Sequence, residues 1–380
     1  MTTGIRKYAQ LATTAPMKPA ERLRTHRFGA NYVPSRNWWY CWNDFDKRAI
    51  ARDFDRIASI GMDHIRIMLL WPYFQPNPTS VSSAHLDRLD SLMTLAEARG
   101  LDVCVTALNG FLSGYHFEPP YCVGKSIYTD ATAIAAQERF FQALAALTGR
   151  HPNFLGFDLG NEICCYRQAE LAVGDAWQGH MLGLLRQISP DGVHVNGVDH
   201  QPWFRPNTFS PKALTAGQQI VPIHCWTYFT GALDRGGALG SPSVNLLAGM
   251  AALVRAYAGD PDKPVWVQEY GASLEWMDAP TLATWTERAT LAAIEQGVSW
   301  MTWWCSHDID PGYEFASLEY GLGLFTTSNQ PKAHTEVIRE IIDAYSGKPV
   351  VIPPPTRALP PLPAEATIES TWQWLEDWAK

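Results

Sequence analysis

Residues 154–162 read FLGFDLGNE, an apolar run of strand length that ends on Asn161 and Glu162 and leads into ICCY, with adjacent Cys164 and Cys165. A carboxylate at the end of an apolar strand is either the first solvated residue of a loop or a reactive group presented by a rigid element. The cysteine pair adds a third reading, a metal or redox site. Similar runs recur along the chain, at 28–34 (FGANYVP), 64–70 (HIRIMLL), 102–108 (DVCVTAL), 194–199 (HVNGVD), 220–226 (IVPIHCW), 264–270 (PVWVQEY) and 298–304 (VSWMTWW). Helix-length amphipathic patterns separate them, near 46–60, 84–99, 131–149, 171–188, 244–258, 281–296 and 333–345, while the fifth crossover, around 211–218, reads as short or irregular. Gly61, Gly100 and Gly297 each close a periodic run just before the next strand, as a helix C-terminus requires.

Strands apolar on nearly every residue belong in a parallel sheet covered on both faces. Eight such β/α units within about 320 residues predict an α/β protein, a (β/α)8 TIM barrel. The alternative, a doubly wound open sheet with a cap domain, lacks the glycine-rich turn after its first strand that a dinucleotide site needs. The expected division is an N-terminal arm at 1–27, the barrel at 28–347 and a tail at 348–380. The tail joins the proline-rich VVIPPPTRALPPLPAE (350–365) to a short helix carrying Trp372, Trp374 and Trp378, which straps the barrel or supports oligomerisation. Two long inserts, 109–130 and 227–243, fall on the C-terminal face, where barrel loops build sites.

The chain has 380 residues, 46% of them hydrophobic, and a formal charge of -8 with no Lys/Arg-rich block. That balance excludes an electrostatic footprint for nucleic acid or anionic membrane. No segment reaches the roughly 18 apolar residues of a membrane span, and the N-terminus lacks the apolar core of a signal peptide. An odd count of seven cysteines shows no framework spacing, and Asn77-Pro78 blocks the one N-x-[ST] pattern. These features lead us to expect a cytoplasmic protein. Sixteen Trp, 14 Tyr and 15 Phe exceed what core packing needs and suit a cleft that stacks sugar rings.

In a barrel the strand ends converge on one axis, so their polar residues become candidates. These are Arg66 on the second strand, Asn109 after the third, Asn161 and Glu162 on the fourth, His224 and Trp226 on the sixth, Glu269 on the seventh, and Trp303 and Trp304 on the eighth. Two carboxylates at one mouth meet the requirement of glycoside hydrolysis, one to protonate the leaving oxygen and one to attack or to activate water. Arg66 is expected to lower the pKa of Glu269, while burial and the charge of Glu269 raise that of Glu162. His194, His200, His224 and His307 fall near strand ends, but no H-x-H or H-E-x-x-H spacing is present, so neither a metal nor a cofactor is expected. Cys164 and Cys165 read as small apolar packing, since neighbours in sequence do not easily reach one zinc.

Gly160-Asn161-Glu162 closing the fourth strand and Gln268-Glu269-Tyr270-Gly271 closing the seventh resemble the clan A glycoside hydrolases, particularly family 5, over residues 28–345. The resemblance implies that Glu162 is the acid/base, Glu269 the nucleophile and Asn161 a ligand of the sugar 2-hydroxyl. It further implies substrate-site roles for Arg66, His224 and Trp303 or Trp304. Two departures stand out: Asn109 where the family often has His, and Trp226 where a Tyr usually follows the strand-six His, leaving Tyr228 to orient the nucleophile. FGANYVPSRNWWYCW and HIRIMLLWPYFQPNP, with Trp71 in the second, resemble a subfamily of β-mannosidases acting on short substrates such as mannosyl-β-1,4-N-acetylglucosamine. The resemblance therefore implies an oligosaccharide substrate, and the long 109–130 loop is expected to close one end of the cleft and make the enzyme exo-acting. An endo-β-1,4-mannanase or β-1,4-glucanase with the same pair is the alternative.

Overall fold

A computed structural model describes residues 22–314, 316–354 and 358–380. The arm expected at 1–27 therefore lies, as far as residue 21, outside the described residues. Seven parallel strands form one curled sheet: β1 (Arg27–Asn31), β2 (His64–Leu70), β3 (Asp102–Asn109), β4 (Phe154–Asp158), β5 (Val221–Cys225), β6 (Val265–Tyr270) and β7 (Trp300–Trp303). Their order is β4-β3-β2-β1-β7-β6-β5, so the first strand sits beside the last and the sheet wraps toward closure. The result is an α/β fold of the TIM-barrel type.

The predicted fifth strand is the exception. Residues 193–197 run beside β4, with Val193 N–H donating to Leu155 O and Val195 N–H to Phe157 O, both at 2.9 Å, but the only ladder contact is a bridge between Asp158 and Val195. On the β5 side the next backbone donor, Asn196 N–H, bonds the Gln218 side chain at 2.7 Å instead of a strand. A side chain thus fills the seam where a ladder was expected, and apolar run length carries no information about that.

The outer helices run Lys47–Ser59, Ser83–Glu97, Ala131–Thr148, Leu171–Ile188, Leu246–Ala258, Ala279–Glu295 and Ala333–Tyr345, with the short Pro211–Ala216 in the fifth crossover. Asp46 and Asp130 start two of them by accepting N–H bonds from the first turn. Gly61, Gly100 and Gly297 follow the ends of Lys47–Ser59, Ser83–Glu97 and Ala279–Glu295 at φ 85, 69 and 75°, a conformation that glycine adopts without strain. The floor of the barrel interior is a separate apolar cluster that includes Cys104, Leu155, Val195, Ile220, Trp266 and Trp300, with Leu23 beneath it. Above it His64 Nε2 and Trp266 Nε1 meet Thr302 Oγ1, each at 2.7 Å.

The tail helix, Ile368–Ala379, lies on Leu246–Ala258 and buries Trp372, Trp374 and Leu375. Burying each such side chain is worth about 1.5–3 kcal/mol. Trp372 Nε1 donates to Thr230 O at 2.9 Å, and Thr371 Oγ1 to Trp203 O at 3.4 Å, so the helix pins the loop after β5. Residues 355–357 of the proline-rich stretch lie outside the described residues. No helix among the described residues is long and apolar enough to cross a membrane.

Candidate active site

At the C-terminal mouth the interior turns polar around one guanidinium. Arg66 on β2 is fully buried and donates to Asp158 Oδ2 through Nε at 2.9 Å and Nη2 at 2.7 Å, to Glu269 Oε1 at 2.6 Å, to Asn31 Oδ1 at 2.9 Å and to Asn161 Oδ1 at 2.9 Å. Asp158 returns its other oxygen to Gly197 N–H at 2.8 Å. A side chain at Gly197 has no room: its Cβ would collide with Gln268 Oε1 and lie 2.7 Å from Asp158 Oδ2. Burial disfavours the Arg66 cation, but Asp158 and Glu269 more than offset this, and its pKa rises.

The ladder between β5 and β6 slips at Ile223/His224, so Val267 pairs with Ile223 and Glu269 with His224, with Gln268 as the extra residue. A bulge re-aims successive side chains, and here both Gln268 and Glu269 reach the axis. His224 Nε2 faces Gln268 Oε1 at 3.0 Å, and Nδ1 faces Glu162 Oε1 at 2.8 Å and Glu269 Oε2 at 3.4 Å. Burial lowers the His224 pKa, so the ring is neutral and carries one N–H. With that proton donated to Gln268, Nδ1 is left to accept from a protonated Glu162.

Glu162 leaves its strand at φ 46, ψ 45, and its N–H bonds Gly197 O at 3.0 Å, a strained left-handed turn that aims the carboxyl inward. One oxygen of Glu162, one of Glu269 and a His224 nitrogen all lie within 4.8 Å of one another. Burial first, then the charge of Asp199, pushes the Glu162 pKa up to about 8, with Arg66 opposing. Burial pushes Glu269 up to about 7 against the pull of His224 and Arg66. Arg66 therefore acts on Glu269 in the expected direction, but burial outweighs it. The anion that chiefly raises Glu162 is Asp199 rather than Glu269.

These groups border a cavity of about 540 Å³. Of the residues anticipated from sequence, Asn161, Glu162, Trp226, Glu269 and Trp304 line it, and Arg66 and His224 stand directly behind the two carboxyls. Asn109 lies one layer deeper, its amide holding Leu69 O and Thr106 O and its Oδ1 accepting Asn161 N–H, each at 2.8 Å. Trp71 is fully buried against Tyr121 and Gln75, and Trp303 turns outward to stack on His334. Tyr228 is half exposed and stacks on Trp276 at 4.9 Å, while Phe229 and Trp276 line the cavity in its place.

Sequence reasoning missed Asn31, Asp158, Asp199, Phe229, Trp276, Ser113 and Glu319, while His200 was weighed only as a metal ligand and Gln268 only as part of the strand-end motif. Asp158 and Asp199 did carry a signal, each being an acid inside or at the end of an apolar run. Beside the cavity, Cys164, Cys165 and Asp199 bring one ligand atom each within 4.8 Å, so the sequence neighbours do reach one point. Both thiols have raised pKa values, Cys165 through its contact with Cys164 and burial. Glu162, His224 and Glu269 form the other trio of potential metal ligands among the described residues, but the Arg66 cation already holds Glu269. His194 is absorbed structurally by Phe157 N–H and Ser189 O.

One wall is aromatic. The loop after β3 forms a hairpin, Phe111–Leu112 with Tyr115–His116, whose tip at Ser113 and Gly114 borders the cavity. Trp38 receives Tyr115 at 5.7 Å, Phe117 at 6.0 Å and Tyr313 at 6.1 Å, and Trp39 approaches Trp304 at 6.4 Å. Loops after β1, β3 and β7 therefore interlock beside the cavity.

A barrel mouth with two carboxyls beside a histidine meets the requirement of glycoside hydrolysis, and the sequence model of the cellulase family, glycosyl hydrolase family 5, matches residues 23–308. The chain belongs to that family and is a glycoside hydrolase. It is similar to GH5_18 from Streptomyces cattleya, solved with GlcNAc, at 30% identity over 94% of this chain and 90% of that one, TM-score 0.88. A Glu-to-Ala variant of GH5_18 from the same organism, solved with Manb1-4GlcNAc, matches at 29% identity over 93% and 91%, TM-score 0.88. GH5_18 from Bifidobacterium longum subsp. infantis follows at 29% identity over 86% and 80%, TM-score 0.82. Comparison with the curated proteins returned no match.

Proposed function

We propose that the protein is a retaining, exo-acting β-mannosidase that cleaves short β-1,4-mannosides such as mannosyl-β-1,4-N-acetylglucosamine. The observation that supports the mechanism is that one oxygen of Glu162 lies within 4.8 Å of one oxygen of Glu269, an approach that suits double displacement better than the wider gap that admits a water. Glu269, ionised beside Arg66, attacks the anomeric carbon while Glu162 passes its proton to the glycosidic oxygen. Glu162, now a carboxylate, then takes a proton from water as that water displaces Glu269 and restores the β configuration. The higher pKa of Glu162 matches this division of labour. Asn161, fixed by Arg66 and Asn109, is assigned to the sugar 2-hydroxyl, axial in mannose.

Exo action is supported by the interlocked loops after β1, β3 and β7, whose rings pack on Trp38 next to the hairpin tip that borders the cavity. On the other side Trp226, Phe229 and Trp276 offer apolar faces to the leaving sugar. Similarity to GH5_18 enzymes, one solved with Manb1-4GlcNAc, supports the substrate. This reading takes residues 193–199 as the fifth stave of a (β/α)8 barrel, since they bond β4 along their length. It also includes a reducing, cytoplasmic setting, supported by seven cysteines all in the free form. The test compares kcat/KM on mannosyl-N-acetylglucosamine, nitrophenyl β-glucoside and long mannan. The disaccharide should lead, and preference for internal cleavage of mannan would make the enzyme an endo-mannanase instead.

A further inference from the structure

Among the groups that border the cavity, a third glutamate has no place in the double displacement. Glu319 lies in the 3-10 turn Ser317–Gly321 after β7, and its Oε2 is buried without a hydrogen-bond partner although the residue as a whole is half-buried. Ser113, at the hairpin tip opposite, likewise has a buried hydroxyl without a partner. Both border the same cavity as Glu162 and Glu269. A buried carboxylate oxygen left unpaired costs more than about 1 kcal/mol, so a site that keeps one is built for a donor that arrives with the ligand.

Three observations narrow that donor. Neither group of potential metal ligands among the described residues includes Glu319, which argues against a cation. Burial pushes its pKa up to about 7; the nearby Ser113 hydroxyl pulls it down, although that contact is too poorly placed to satisfy either group as a hydrogen bond, and the Glu162 charge pushes it up, so Glu319 shares the field of the catalytic acid. Both side chains also sit on the inner side of the wall. Ser113 is two residues from Tyr115, which packs on Trp38, and Glu319 precedes Tyr320, whose hydroxyl donates to Tyr313 O at 2.6 Å, with Tyr313 packing on Trp38 and Tyr40.

We propose that Glu319 and Ser113 are specificity-determining residues that bind hydroxyls of the non-reducing terminal sugar, Glu319 as acceptor and Ser113 as its partner across the cavity. The assignment rests on exo action at a terminal sugar. A carboxylate that must receive a free hydroxyl rejects a chain extended through that oxygen, because extension removes the proton and leaves the acid unpaired. The pair thus supplies a polar selection for the terminal sugar.

The experiment measures kcat/KM of the unaltered protein, Glu319→Ala and Ser113→Ala on nitrophenyl β-mannoside, its 3-, 4- and 6-deoxy analogues, and mannosyl-N-acetylglucosamine. Glu319→Ala should lose about 10- to 100-fold on nitrophenyl β-mannoside and by the same factor on the disaccharide. At least one deoxy analogue should then be no worse for Glu319→Ala than the parent sugar, although it is about tenfold worse for the unaltered protein. Ser113→Ala should show a smaller loss on the same analogue. Rates within about twofold of the unaltered protein, or a loss confined to the disaccharide, or losses that simply add for every analogue would overturn the assignment. Failure of the unaltered protein on every β-mannoside would instead refute the proposed substrate. The same cycle would then be run with the deoxy series of whichever nitrophenyl glycoside it cleaves.

Discussion

Replacing Glu162 by Gln separates the two carboxyls cleanly, because it keeps the shape of the site and removes one proton. Productive enzyme needs Glu162 protonated and Glu269 ionised. With Glu162 pushed up to about 8 and Glu269 to about 7, the acid/base keeps its proton more readily than the nucleophile does. The profile of kcat/KM should therefore be a narrow bell between those values, which belong to the coupled pair, falling about tenfold per pH unit beyond each limb. In Glu162→Gln the alkaline limb disappears. The acid limb stays nearly where it is, since Glu162 is already uncharged over the pH range in which Glu269 titrates. Hydrolysis of the disaccharide should fall by about 10²–10⁴-fold, the usual worth of a general acid. Dinitrophenyl β-mannoside, whose leaving group needs no proton, should retain most of its kcat/KM while its second step stalls until azide intercepts it as the β-glycosyl azide. Glu269→Ala should be nearly inactive and give no such product. An alkaline limb that survives in Glu162→Gln would refute the assignment of the acid.

Three further perturbations follow from the same contacts. Arg66→Met leaves Asp158 and Glu269 buried without their cation, and the chain should lose about 3–5 kcal/mol of stability, read as a fall in Tm, together with nearly all activity. Because folding raises the Glu162 pKa from 4.5 to about 8, the native state binds the extra proton between those values, so its contribution falls as pH climbs through that window. Glu162→Gln should therefore raise Tm at pH 9 and leave it nearly unchanged at pH 4, and the reverse pattern would contradict the shift. Cys165 borders the cavity with its pKa raised, so iodoacetamide at pH 7 should leave activity intact over an hour, whereas rapid inactivation would reveal a thiolate.

The helices and seven of the eight strands were legible because burial on both faces writes itself into run length, and glycine marks the helix ends. The fifth stave was not, since Gln218 replaces a ladder with a side-chain bond that no apolar pattern encodes. Glu162 and Glu269 could be placed from their strand ends. The slip that turns Gln268 inward beside Glu269 depends on how β5 and β6 pair and leaves no mark in either strand alone. Which way an aromatic faces is less legible: Trp304, one of the two tryptophans expected there, lines the cavity while Trp303 stacks on His334 and Tyr228 on Trp276, and Trp276 and Phe229 came to the cavity from loops whose path the sequence does not state. Asp199 was within reach, because the logic applied to Glu162, an acid ending an apolar run, applies to HVNGVD as well.

The most direct measurement follows mannosyl-β-1,4-N-acetylglucosamine by proton NMR from the first seconds of hydrolysis. Mannose should appear first as the β anomer and only later equilibrate to α. Initial release of α-mannose would contradict the double displacement by Glu162 and Glu269, and no release of mannose while mannan is cut internally would contradict the exo-β-mannosidase itself.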